Sequence, residues 1–265
     1  MDMYLRNLDK GLRFKYNEVV LTYDKMRPTY VKELFDDVIQ FSSLDSSKKA
    51  LEVGIGTGQA TLPFLKTGCK VTAIELGEAL ANFSKEKFSE FNNFDVINKD
   101  FESVVVKNNT YDLFYSASAF HWIPQEIGYP KVFQLLKSGG VLALFFIRPF
   151  PASETDTVHI AIQKVYSNYM PSSEKPQRFN EEECLGIVNT IKQYGFIDAN
   201  FKLYHNTRTF DAKSYASLIS TYSDHRAMQE DKRALFEKEI IDAIDSCGGE
   251  FILYDTIDLY LAKKP

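Results

Sequence analysis

Three glycines spaced two apart, with an acid just before them and a second acid one strand later, are the residues best placed to do chemistry. The first acid and the glycines lie in the run Glu52-Val53-Gly54-Ile55-Gly56-Thr57-Gly58-Gln59, where an apolar strand-like stretch turns through glycine into a helix-like one. Glycine lets the backbone turn tightly and lets a ligand approach with no Cβ in the way. A following helix N-terminus offers unpaired N–H groups to a carboxylate or phosphate. A glycine turn is a weak signal by itself. It gains weight from Glu75, which closes the next apolar run at 71–74. An acid about 20 residues beyond the turn can accept both ribose hydroxyls, so loop and acid together imply an adenosine-containing ligand. The competing explanation is an ordinary turn beside a solvated strand-end acid.

Spacing separates two kinds of adenosine ligand. A dinucleotide fingerprint GxGxxG begun at Gly54 needs a third glycine at position 59, which is Gln59 here. A nicotinamide-dependent oxidoreductase remains an alternative, with no evident Tyr-x-x-x-Lys pair beside the loop. Further along, His121 is a candidate general base, because an unperturbed imidazole titrates near neutrality and can take a proton from an OH or NH acceptor. A structural hydrogen bond is its plainer role. Trp122, the only tryptophan, packs on a bound ring or fills core. Ser118 and Tyr115 are candidates for the polar tail of a ligand. Arg148, and Arg226 with His225, are candidates for an anionic acceptor, weighed against being surface cations. His159 and His205 lack supporting ligands at metal-binding spacing, so no catalytic metal is expected.

These groups need a scaffold. From 50 to 147, short β-rich apolar runs (50–53, 71–74, 94–97, 111–115, 141–146) alternate with longer amphipathic stretches such as 78–91. Repeated strand–helix units imply an α/β fold with a parallel sheet covered on both faces. The loop 116–122 then falls at the carboxyl end of the sheet, where open α/β folds bind ligands. A leading helix is expected over 21–41, with Pro28 near its start. Helices are expected at 153–169, 180–194 and 214–247, and strands at 199–209 and 251–262, with Gly248 and Gly249 stopping the last helix. No long linker interrupts the chain. One catalytic domain is therefore expected, with residues 1–45 as a helical cap, 46–150 as the core, and 151–265 completing the sheet with helical insertions that form a lid.

Composition narrows the classes. With 45% apolar and 25% charged residues over 265, this is ordinary globular composition. No apolar run approaches the roughly 20 residues a membrane helix needs. Residues 1–15 mix charges with apolar residues and lack the apolar centre of a secretory signal, so a cytoplasmic location is expected. Three dispersed cysteines give neither a disulfide framework nor a zinc knuckle. A net charge of −5 opposes a general nucleic-acid footprint and favours a small-molecule partner.

The pattern Glu52-x-Gly54-x-Gly56-x-Gly58 closely resembles motif I of the class I S-adenosylmethionine (SAM) dependent methyltransferases, with Glu where many relatives have Asp. Asp100-Phe101-Glu102 resembles that family's acidic loop, Tyr111-Asp112-Leu113-Phe114 its fourth strand, and Gly139-Gly140-Val141-Leu142-Ala143 the turn into its fifth. Residues 257–262 resemble its terminal antiparallel strand. Tyr23-x-x-x-Arg27-Pro28-x-Tyr30, Ser116-x-x-x-Phe120-His121-Trp122 and Thr221-Tyr222-Ser223-x-His225-Arg226 are similar to the type 11 and trans-aconitate methyltransferase-like group.

The resemblance implies a Rossmann-like fold with a seven-stranded, mostly parallel sheet, a C-terminal antiparallel strand and a helical lid. It implies a cofactor site built from Tyr23, Arg27, Glu52, Gly54, Gly56, Gly58, Glu75, Leu76, Asp100, Phe101 and Ser116, with Asp100 taking the adenine amino group. Tyr30, Trp122, Arg148, Tyr222 and His225 become substrate-side candidates, and His121 the catalytic one. The expected activity is in-line methyl transfer from SAM to O, N, S or C of a small molecule, leaving S-adenosylhomocysteine (SAH). A SAM-binding protein without turnover is the alternative. No nucleic-acid or membrane partner is expected, and the chain is expected to be a monomer or homodimer.

Overall fold

The computed structural model describes residues 19–151, 155–170 and 179–265. The signal reading of residues 1–15 and the first residues of the helix expected at 153 lie outside them. Seven strands form one sheet: β1 Lys49–Val53, β2 Lys70–Glu75, β3 Phe94–Asn98, β4 Tyr111–Ala117, β5 Leu136–Pro151, β6 Ile197–Asp211 and β7 Glu250–Lys263. Their order is β3-β2-β1-β4-β5-β7-β6. The β1, β2, β3, β4 and β5 pairings are parallel, and β7 runs antiparallel between β5 and β6. This is the expected mostly parallel sheet with its antiparallel terminal strand.

Alternation along the strands divides the core between the two faces. Ala50, Val71, Ala73, Leu113, Tyr115, Ala143 and Phe145 pack one way, against helix α2 (Lys32–Ser42) through Leu34, Phe35 and Val38 and against α3 (Thr61–Leu65) through Phe64. Leu51, Val53, Ile74, Phe114, Leu142 and Leu144 pack the other way, against α5 (Gln125–Leu135) and α7 (Glu181–Gln193) through Val132, Leu135, Cys184, Val188 and Ile191. Helix α4 (Glu78–Lys87) follows β2. A third apolar cluster joins α6 (Thr157–Tyr169), α8 (Ala212–Ile219) and α10 (Glu230–Ser246) to the outer ends of β6 and β7. It supplies the helical insertion with a core of its own.

The expected leading helix is two helices, α1 (Val20–Met26) and α2. Arg27 caps α1 at φ −69° and ψ 137°, extended rather than helical. Pro28 is the cause: its ring crowds the α conformation of the residue before it, and it has no N–H for the ladder. The expected helix at 214–247 is three, with α9 (Ser223–Arg226) between α8 and α10. Both breaks bear on the site, because Arg27, Thr221 and Tyr222 sit at these joints.

The last three strands are longer than their apolar runs. Beyond Ala117, where β4 ends opposite Phe145, β5 continues to Pro151 paired only with β7. There Pro149 costs no ladder bond on its unpaired side. The outer parts of β5, β7 and β6 thus form a wing past the carboxyl edge. Among the described residues, no helix is long and apolar enough to cross a membrane.

Candidate functional site

A cleft of about 260 Å³ opens at the carboxyl edge, lined by the glycine loop, the α1–α2 joint, the end of β4 and the wing. Its lining includes Tyr23, Arg27, Tyr30, Gly54, Ile55, Gln59, Ser118, His121, Phe146, Ile147, Pro149, Arg208 and Tyr222.

The loop is held from beneath. Gly54 has φ +74° and Gly58 φ +84°, and a Cβ on either would lie 2.3 Å from Ala119 Cβ or from the Phe88 ring. Only glycine fits at these two positions. At Gly56 a Cβ would project to 3.5 Å from the Tyr23 ring, so this position is roofed by an aromatic side chain rather than packed shut. Lys87 Nζ donates to the Thr57 carbonyl (2.9 Å) and to Asp24 (2.6 Å), tying the loop to α4 and α1.

Glu75 is buried at the end of β2. It accepts N–H bonds from Gly56 (2.9 Å) at one carboxylate oxygen and from Gly77 (2.9 Å) at the other. Burial pushes its carboxyl up despite those bonds. A carboxylate offers about four lone-pair sites. The Gly56, Gly77 and Leu76 N–H groups engage three of them, which leaves capacity for one further hydroxyl. Glu52 lies beneath the loop, accepting from Thr61 Oγ1 and Tyr115 Oη, both at 2.8 Å. Burial raises its pKa to about 8.

A clasp closes the cleft from above. Arg27 Nε donates to Thr221 Oγ1 (3.0 Å) and Nη2 to the Thr221 carbonyl (2.9 Å), across 194 residues of sequence. Its guanidinium lies 4.8 Å from the Tyr23 ring centre and 4.6 Å from that of Tyr222. Stacking of a planar guanidinium between two rings is a favourable cation–π arrangement. Tyr30 Oη and Ser118 Oγ are hydrogen-bonded at 2.9 Å. Ser118 takes the left-handed conformation (φ 51°), and its Oγ accepts the Ile147 N–H at 3.3 Å, finishing the edge that β4 leaves.

His121 lines the cleft, with its ring centre 5.4 Å from that of Trp122 and 6.0 Å from that of Phe146. Burial, with Arg148 nearby, lowers its pKa to about 4. The imidazole is therefore neutral at pH 7 and a weak base.

Several expected site residues serve other contacts. Ser116 donates inward to the Val53 carbonyl (2.8 Å), two residues short of the strand end where Ser118 meets the cleft. Arg148, expected as an acceptor-side cation, lies on the face of β5 that it shares with Phe146, opposite to that of Ile147 and Pro149. There it is bound through Nε and Nη2 to buried Asp258 at 2.9 and 2.8 Å, with the Phe179 ring 3.7 Å away. His225 likewise makes other contacts. It is buried behind Tyr222 among Tyr166 and Phe236, and its Nδ1 donates to the Ile219 carbonyl at 2.7 Å, so it fixes the α8–α9 joint. Phe101 is buried against Phe114, and Lys131 Nζ holds its carbonyl at 2.6 Å. Asp100 accepts the Glu102 N–H at 3.1 Å. Leu76 follows Glu75, its carbonyl accepting from Asn98 at 3.1 Å. Glu52, Glu75, Leu76, Asp100, Phe101, Ser116 and Trp122 are all absent from the cleft lining.

The pairing of Thr221 with Arg27 carries no signal in the sequence, although both lie in the motifs named above, and Arg208 is not among the residues expected from the sequence. Arg208 lies on β6 and is gripped by buried Asp255 of β7 through Nε (2.5 Å) and Nη2 (2.8 Å). Among the described residues, no group of three or more His, Cys, Asp or Glu side chains is arranged to hold a metal.

Residues 51–144 match the family described as a methyltransferase domain. The chain is 20% identical over 242 residues to an uncharacterized methyltransferase of Schizosaccharomyces pombe, covering 88% of each. It is 27% identical over 135 residues to a Saccharomyces cerevisiae protein named as a probable S-adenosylmethionine-dependent methyltransferase, spanning only 45% of that relative's length. Among solved structures it resembles Haemonchus contortus phosphoethanolamine N-methyltransferase 2, in complex with phosphomonomethylethanolamine and SAH. The TM-score is 0.55 at 13% identity, covering 97% of this chain and 59% of that one. That likeness is one of fold.

Proposed function

We propose, for a chain that belongs to the class I SAM-dependent methyltransferases, that it methylates a small organic acceptor enclosed in the cleft beyond the glycine loop. The observation that carries this reading is the clasp. Arg27 joins the N-terminal segment to the α8–α9 joint directly over the loop, leaving a space of about 260 Å³ that suits small molecules better than a folded macromolecule.

The residues fit the cofactor. Gly56, with a roofed backbone and no Cβ, offers the close approach a ligand needs, and Glu75 keeps an acceptor site for a ribose hydroxyl beside it. Gly54, Gly56, Tyr23 and Arg27 would hold the methionine end, and Glu75, with Leu76 and Asp100 along the same edge, the adenosine end. Bound there, SAM supplies a methyl group on a cationic sulfur.

The chain's own contribution is alignment and exclusion of water. In-line transfer depends chiefly on orientation, which can supply on the order of 7–11 kcal/mol of the barrier. Tyr23, Pro28 and Tyr222 roof the cleft, Phe146 and Pro149 give it an apolar floor, and the Tyr30–Ser118 pair sets hydroxyls at its edge. Among the described residues no Asp or Glu lines it, and His121 is held neutral with a depressed pKa. This supports an acceptor atom whose lone pair is available at neutral pH without a strong base.

The test is SAH formation by purified protein with a panel of small carboxylates, thiols, amines and phenols. Turnover is expected with at least one of them, with no inflection near pH 6.5 that His121→Gln removes. No SAH release with any member, or turnover confined to RNA or protein substrates, would overturn the small-acceptor reading.

A further inference from the structure

The wing carries a cation whose donors are only partly used. Register places Asp255 of β7 directly opposite Pro149 of β5 and Asn206 of β6, so it shares the cleft face with both. Arg208, two residues beyond Asn206, shares that face and lines the cleft. Asp255 is 1% exposed and Arg208 15%. Asp255 takes the Nε and Nη2 edge of the guanidinium in a two-point grip. Nη1 is buried and finds no hydrogen-bond partner among the described residues. A charged donor buried without a partner costs free energy, and such groups in native proteins call for an explanation.

We propose that Arg208, oriented by Asp255, anchors a carboxylate of the methyl acceptor through Nη1, at the wing end of the cleft and away from the atom that receives the methyl group. This rests on the small-acceptor reading above and adds a chemical class to it. The grip by Asp255 prevents the side chain from swinging out to solvent, so the donor is preorganised rather than recruited. Among the described residues, the lining contains two arginines and no acidic side chain. Tyr222, which carries the clasp, lies within electrostatic reach of both Arg27 and Arg208. An anion at Arg208 would therefore sit under the roof that closes over the cofactor. With the Nε–Nη2 edge taken by Asp255, the open donors form the end edge of the guanidinium, two N–H on Nη1 and one on Nη2. That matches a carboxylate better than a phosphate, whose three oxygens and higher charge call for more donors.

The experiment titrates SAH-loaded protein with benzoate, benzamide and phenyl phosphate at constant ionic strength, with SAH affinity measured first. Wild type is expected to bind benzoate at least about tenfold more tightly than its neutral isostere benzamide, and more tightly than phenyl phosphate. In Arg208→Gln the carboxylate preference should fall to within about twofold, while SAH affinity is retained. Because that change leaves Asp255 buried without its cation, Arg208→Gln/Asp255→Asn is the second variant. It keeps an amide–amide pair and should lose the preference equally. Equal binding of benzoate and benzamide by wild type, as when water alone satisfies Nη1, overturns the proposal. So does a preference that survives in the double variant, and tighter binding of phenyl phosphate overturns the assignment to a carboxylate. Failure of wild type to bind SAH is read separately, in the first titration. It overturns the cofactor reading on which the proposal rests, and the proposal with it.

Discussion

The two sides of the cleft are built on different principles. The glycine-loop side is fixed by backbone: three left-handed glycines, two of them packed against Ala119 and Phe88, and a buried carboxylate accepting loop amides. The wing side is fixed by side chains reaching across strands, with Arg148–Asp258 on one face and Arg208–Asp255 on the other. A backbone-built site holds the part of the ligand that does not vary. A side-chain-built one can be retuned by single substitutions, as acceptor specificity requires. The clasp between Arg27 and Thr221 is where the two meet.

Four changes would break or sharpen this contrast. The largest effect on SAH binding is expected from Gly58→Val, which forces a branched side chain into the Phe88 ring at φ +84°. SAH affinity should fall by at least about 100-fold, roughly 2.7 kcal/mol, by calorimetry, or the protein should fail to fold. Next, Arg148→Met leaves Asp258 buried without its partner and should cost about 3–5 kcal/mol in urea unfolding, with SAH affinity of the folded protein within about threefold. A large loss of SAH affinity there would erase the distinction between the sides.

The third change concerns pH. Glu52 has its folded pKa raised to about 8 from an ordinary 4.5, so the folded state holds the proton more tightly than the unfolded one. Stability associated with this group is greatest below the unfolded value and is lost as pH rises through 8, at up to about 1.4 kcal/mol per pH unit. Glu52→Gln should flatten that decline in melts between pH 5 and 8. His121 has the opposite sign. Its pKa is lowered to about 4, so its contribution is intact above pH 6.5 and is lost as pH falls toward 4. The smallest effect is expected from Thr221→Val, which removes one acceptor of Arg27 at about 1 kcal/mol and should speed SAH dissociation in stopped flow more than it slows association.

The loop side was legible in sequence because its requirements are local. Gly54, Gly56 and Gly58 announce a backbone conformation no other residue takes easily, and Glu75 follows at a distance set by one helix and one strand. The sheet was legible for the same reason, since alternating apolar runs sort themselves onto two faces. The ion pair of Arg148 was not legible, because position after strand five does not say which face a side chain takes. The structure extends β5 to Pro151 and joins Arg148 to buried Asp258. Arg208 was invisible because its role depends on Asp255, 47 residues away, and on a register across three strands. His225 read as polar and accessible, yet it is buried by Tyr166, Tyr222 and Phe236, which the broken helix brings around it.

The most direct test of the central claim is calorimetric titration with SAH, comparing wild type with Gly56→Arg and Glu75→Ala and using NAD as the control ligand. Micromolar SAH binding by wild type, weakened in both variants and with none for NAD, is the predicted result. Binding of NAD in place of SAH, or SAH binding unchanged in both variants, would contradict a cofactor site built on the glycine loop.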